Sequence, residues 1–221
     1  MSNFEYPILY TFRRCPYAMR ARFVLRHSHK KIELREIKLQ KKPKDFLNTS
    51  PKGTVPVLAL SKKEVLDQSL DIMMWCLQSS DNSKINDLKN NLPNNLLDQI
   101  KDLDNEFKTN LDKYKYPNRF KDNDKNLSRD NNLKFLKKLN ENLKNSIFLN
   151  SNKIGLLDYA IFPFIRQFRN VDIEWFENLN LSFLNSWYLS IVESKAFFDI
   201  MKKYKVWDAE DKPIITNFNY N

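Results

Sequence analysis

The stretch "FRRCPYAMRARFVL", residues 12–25, decides how the first half of this chain is read. Just before it, residues 6–12, "YPILYTF", are rich in β-branched and aromatic side chains and read as a strand. From Pro16 the pattern changes: Tyr17, Ala21, Val24, Leu25 and Ser28 recur on one face at helical spacing, and Arg22 and Arg26 fall away from that face. A strand therefore passes into an amphipathic helix across Phe12 to Cys15. Pro16 suits the first helical position, because its fixed φ matches the turn and its missing N–H is not needed there. Cys15 is then the N-cap.

A thiol at an N-cap faces unpaired backbone N–H groups and the positive end of the helix dipole. Arg13 and Arg14 add positive potential beside it. Such surroundings lower a cysteine pKa from about 8.5 into a range of roughly 3.5 to 7.5. Three residues on stands Ala18 rather than a second cysteine, so an internal disulfide is not open to this thiol and an external thiol must resolve any mixed disulfide. The alternative is a small apolar filler, a common role for free cysteine. That role fits Cys76, which lies within the apolar run "IMMWCL".

Working outward, "KIELREIKL" alternates Ile32, Leu34 and Ile37 with charges and reads as a second strand, and "PKDFLNTSP" reads as a short helix or turn. "TVPVLAL" and "KKEVLDQ" read as two short antiparallel strands, and a helix begins near Ser69. This order gives an α+β unit with a mixed four-stranded sheet over residues 1–80. "SDNSKINDLKNN" reads as a polar linker, placed at 81–89, and residues 90–221 as an all-α domain. Its helices are expected near 90–114, 128–145, 156–170, 181–193 and 195–203. Glycine occurs only twice, so Gly53 and Gly155 should each fill a position awkward for a side chain, a positive φ or a helix cap.

Composition narrows the function classes. Hydrophobic residues at 42% argue for a folded chain rather than a disordered one. No apolar run reaches the roughly 18 residues of a membrane span, and the first ten residues read as neither a basic leader nor a signal segment. Two cysteines make no disulfide framework. A cytoplasmic, reducing setting is expected. The net charge of +10 is spread among acids in short runs, which argues against nucleic acid and for the steering of a small anionic substrate. His27 and His29 have no companion ligands, so no metal site is expected, and two glycines leave no phosphate-binding glycine loop.

Four segments in order, "RRCPYAMR", "KGTVPVL", "LDQSLDI" and "GLLDYAIFPFIRQF", resemble the cytosolic glutathione transferases, most of all the cysteine-type, omega-like members. The resemblance implies a thioredoxin-like N-terminal domain followed by a helical one, and glutathione as co-substrate. It implies a cis bond before Pro56 that lets Val55 pair its backbone with the cysteinyl part of glutathione. Gln68 and Ser69 match the pair that holds the γ-glutamyl group, and Lys42 matches a basic residue facing the glycyl carboxylate. Gln68 stands where many relatives carry Glu, and Gly155 stands where the buried helix usually has a Ser or Thr cap opposite Asp158.

On this reading Cys15 is the catalytic nucleophile of a glutathione-dependent thiol transferase acting on a small disulfide or electrophilic substrate. Phe12, Met19, Phe23 and Trp175 are candidate substrate contacts. A homodimer is implied. Conjugation of glutathione to an electrophile, and a non-catalytic binding module on the same fold, are the alternatives.

Overall fold

The computed structural model describes residues 4–121 and 124–220; residues 1–3 and 221, which end the two expected domains, and 122–123 lie outside the described residues. The chain forms two units, one of residues up to Asn86 together with those from Ser194 onward, the other of Asp87–Glu193.

The first unit begins with β1 (Ile8–Thr11), α1 (Pro16–Ser28), β2 (Ile32–Glu36), α2 (Lys44–Thr49), β3 (Val57–Ala59), β4 (Val65–Leu66) and α3 (Ser69–Gln78). β1 occupies the middle of the sheet: it runs parallel to β2, with Ile8 opposite Glu33, and antiparallel to β3, with Ile8 opposite Ala59. Helices cover both faces, so all four β1 residues are buried. Alternation along the strand sends Ile8 and Tyr10 into a cluster with Phe46, Val57 and Ala59, and turns Leu9 and Thr11 to the other face.

Two expectations change here. The sheet has five strands rather than four, in the order β4-β3-β1-β2-β5, because β5 (Ile214–Thr216) pairs antiparallel with β2. This strand is three residues long inside the polar tail "KPIITNF", too short to leave a periodic signal. It closes the β2 edge, which would otherwise present unpaired backbone groups. The Trp207 N–H donates to the Glu36 carbonyl at 2.8 Å, and Phe218 is fully buried. Residues 194–220, expected in the helical domain, thus group with the sheet.

The expected linker is instead a helix, α4 (Ser83–Asn90). The Asn82 side chain accepts the Ile85 N–H at 3.1 Å as a cap. Ile85 and Leu88, three positions apart on one helix face, are both buried.

The helix expected over 90–114 is α5 (Leu96–Asp102), a π turn at Leu103–Phe107 and α6 (Lys108–Lys115). The one expected at 128–145 divides into α7 (Lys125–Asn131) and α8 (Leu133–Asn142). Then follow α9 (Leu156–Arg169), α10 (Ile173–Glu177), α11 (Ser182–Val192) and, returning to the first unit, α12 (Lys195–Ile200). Among the described residues no helix is long and apolar enough to cross a membrane.

α9 forms the buried axis of the second unit, and Asp158 fixes its start. Its carboxylate accepts from Gly155 N–H at 2.7 Å, Leu149 N–H at 2.9 Å and Trp187 Nε1–H at 2.7 Å. Gly155 is the N-cap, and a Cβ there would come within 3.1 Å of the Asn91 side chain. Replacing Asp158 with Ala strands three donors in a site 1% exposed. The expected cost is about 3 kcal/mol or more of stability, read as a lower denaturant midpoint.

Candidate active site

Cys15 is the N-cap of α1, with extended backbone (φ −74°, ψ 125°) and Pro16 following at the first helical position. Its N–H donates to the Phe12 carbonyl at 3.0 Å, and its own carbonyl accepts the Met19 N–H at 2.9 Å, so the turn and the helix meet at this residue. The sulfur makes no capping hydrogen bond to the helix, contrary to expectation. It points instead to the loop before β3, where Sγ lies 3.5 Å from the Val55 carbonyl oxygen. The Val55–Pro56 bond is cis. A thiol donating to a carbonyl is favoured in its protonated form by that contact.

Gln68 is the N-cap of α3 and Ser69 its first residue. Gln68 is exposed, whereas Ser69 is 4% exposed. The Ser69 hydroxyl accepts from Arg20 Nε at 2.8 Å, which leaves the hydroxyl's own proton to donate elsewhere. Arg20 is itself buried, its guanidinium 4.9 Å from the centre of the Tyr17 ring.

Lys42 is exposed and runs over Gly53, where an added Cβ would sit 3.3 Å from its Nζ and 3.2 Å from Leu47. Gly53 has φ +63°, in the left-handed region that favours glycine. Lys52 and Asp67 approach to 3.9 Å on the same side of the unit.

The expected substrate contacts separate. Phe12 is half-buried, with the Arg14 guanidinium 5.7 Å from its ring centre. Met19 is 1% exposed and Phe23 fully buried, its ring 6.5 Å from that of Phe197, so both are core residues. They follow the burial of α1 on almost every side. Trp175 belongs to the second unit, where it meets the Phe168 ring at 6.0 Å and the Arg129 guanidinium at 4.4 Å.

Three charged residues escaped the sequence reading. Arg20 and Arg22, read as solvent-facing helix positions or passed over, are each 2% exposed, and Glu36 is 8% exposed. Burial lowers the Arg22 guanidinium to about 10, against the opposing pull of Glu36 and Cys15 nearby. Burial also pushes the Glu36 carboxyl upward, against its contacts with Arg13 and Arg22. The available signal was the spacing: Arg22 lies seven residues after Cys15, two helical turns along the same face.

Residues 9–84 match the family model described as glutathione S-transferase, N-terminal domain. Among solved structures, the chain is similar to a Tau class glutathione S-transferase from mango, Mangifera indica. That match has 20% identity and a TM-score of 0.69, covering 90% of this chain and 93% of that one. It is similar to a delta-class glutathione transferase from Nilaparvata lugens at 17% identity and a TM-score of 0.69, over 89% and 95% of the two chains. A glutathione transferase family member from Pseudomonas fluorescens, solved with two glutathione bound, matches at 15% identity and a TM-score of 0.71, over 89% and 92%. The fold is that of the glutathione transferases: a thioredoxin-like sheet domain and a helical domain.

The two thiols differ in reactivity. Cys76 is fully buried, and burial pushes its thiol up to about 12. Since the thiolate is the reacting form, Cys76 stays protonated at pH 8. Iodoacetamide on the native protein should therefore add one group, on Cys15, and a second only after unfolding in urea, as counted by intact mass.

Proposed function

We propose that this chain is a glutathione-dependent thiol transferase of the cysteine type, with Cys15 as nucleophile. The observation that carries the reading is the half-buried thiol at the head of α1, facing the Val55 carbonyl, in the segment that matches the glutathione S-transferase N-terminal model.

The residues fit the tripeptide. Glutathione pairs its cysteinyl backbone with Val55, and that pairing competes with the Cys15 thiol for the same carbonyl, freeing the sulfur to ionise. The γ-glutamyl carboxylate takes the Ser69 hydroxyl proton, whose direction follows from the Arg20 hydrogen bond, together with the free N–H groups that begin α3. The Gln68 side-chain oxygen accepts from the ammonium, and Lys42 faces the glycyl carboxylate.

In the reaction the Cys15 thiolate attacks the glutathionyl sulfur of a mixed disulfide. The substrate S–S bond breaks, the acceptor leaves as a thiolate that takes up a proton, and Cys15 is left joined to glutathione. A second glutathione, as thiolate, attacks that glutathionyl sulfur, giving glutathione disulfide and returning the Cys15 thiolate. The mixed disulfide is reduced to a free thiol, and one reduced glutathione is consumed, leaving as glutathione disulfide with the glutathionyl group taken from the substrate. A second reading, conjugation, is favoured by the Val55 contact, since a Cys15 that keeps its proton would serve as a hydrogen-bond donor to bound glutathione thiolate. A homodimer in the cytoplasm belongs to the same proposal.

Replacing Cys15 with Ser separates the two readings. Thiol transfer from a glutathionylated small thiol should fall by about a thousandfold or more, while retention on glutathione-agarose persists. A variant that keeps its transfer rate would remove Cys15 as the nucleophile, and conjugation that persists or appears in the variant would favour the second reading. Ser69→Ala removes a hydrogen bond to a charged group and should raise KM for glutathione about tenfold with little change in kcat.

A further inference from the structure

We propose that Arg22 and Glu36 are positioning residues that hold Arg13 by its backbone carbonyl and N–H and set the ionisation of Cys15 in opposite directions. The proposal deepens the reading of Cys15 as a reactive thiol and rests on it.

Arg13 lies in the turn that joins the end of β1 to the start of α1. Its N–H donates to Glu36 Oε1 at 2.7 Å, and its carbonyl accepts from Arg22 Nη2 at 2.5 Å. The other arm of the guanidinium, Nη1, donates to Thr11 Oγ1 at 3.2 Å. Two buried charges from two elements, α1 and the end of β2, thus hold one residue of a turn. The planar guanidinium reaches both oxygens because its donors are set in a fixed fork.

Seven residues of helix put the Arg22 Cα about 10 Å along the axis from that of Cys15. The side chain leans back toward the helix start, so its charge comes to rest at Thr11 and Arg13, within four residues of the thiol. With Arg13 fixed, the Phe12 carbonyl is placed to accept the Cys15 N–H at 3.0 Å, and the thiol is presented at the N-cap.

The arrangement is costly for a purely structural turn. Burying charges costs several kcal/mol each unless their hydrogen bonds are complete, and here Arg22 Nε and Glu36 Oε2 are buried with no hydrogen-bond partner. Other charged or titratable groups near the set are the Arg13 and Arg14 side chains from the turn, Tyr204 from the tail and Asp199 from α12. The Arg13 side chain reaches out to the Met201 carbonyl at 3.4 Å. The thiolate of Cys15 and the Glu36 carboxylate both favour the Arg22 cation. By the same coupling, Arg22 favours the thiolate; Glu36, whose carboxylate is held 2.7 Å from the nitrogen of Arg13, two residues before Cys15, is a like charge that opposes it.

The test follows the rate of Cys15 alkylation by iodoacetamide against pH, read on the Cys15 peptide by mass. Glu36→Gln keeps an oxygen for the Arg13 N–H and removes the negative charge. Its midpoint should fall by about half a pH unit or more. Arg22→Gln should raise the midpoint by a similar amount, and Arg22→Lys, which restores the charge without the fork, should bring it back toward the wild type.

Variants whose midpoints do not move, or move in the same direction, overturn the proposal. Should Arg22→Gln fail to fold, the direction seen with Glu36→Gln decides alone: a fall supports the assignment, and no change or a rise overturns it. The readout does not depend on glutathione. A wild-type protein that transfers no thiol would therefore remove the functional reading and leave the opposed shifts visible.

Discussion

Four residues separate the end of β1 from the start of α1, and the rest of the first unit depends on how that short turn is held. β1 is the central strand, hydrogen-bonded on both sides and covered on both faces, so its end cannot shift. α1 is tied equally firmly. Arg20 joins it to α3 through Ser69, Arg26 joins it to α12 through Asp199 at 2.8 Å, and Cys15 meets the loop before β3. The turn between two fixed elements has little freedom left. The buried Arg22 and Glu36 side chains remove what remains, by satisfying both polar groups of Arg13.

This explains how Cys15 and Val55, forty residues apart in the chain, are held in contact. The sulfur, the Val55 carbonyl and the Ser69 hydroxyl are each presented by the end of a regular element or by a loop anchored in the sheet. α1 is the shared support. Three of its arginines carry polar contacts to neighbouring elements, their charge held by hydrogen bonds to serine, threonine, a backbone carbonyl and an aspartate.

Much of this was legible in the sequence because local signals agreed with the fold. "YPILYTF" and "KIELREIKL" become β1 and β2, Pro16 opens α1, and the rare Gly53 takes a positive φ. What was missed has physical causes. β5 is three residues long and takes its stability from β2, so no local pattern announces it. α4 is polar enough to pass for a linker, although Ile85 and Leu88 alone bury its inner face. Arg22 was placed in solvent because helical periodicity assigns charge to the outside, and it is buried by contacts that only the tertiary structure supplies. For the same reason Met19 and Phe23, apolar and near the thiol in sequence, serve the core instead.

In the proposed chemistry one sulfur, at the head of α1, exchanges disulfides with glutathione. Incubating the purified protein with oxidised glutathione and measuring its intact mass, with peptide mapping, tests this most directly. One added glutathione is expected, located on Cys15, removed by reduced glutathione and absent from a Cys15→Ser variant. A protein that gains no mass, or gains it at Cys76, would contradict it.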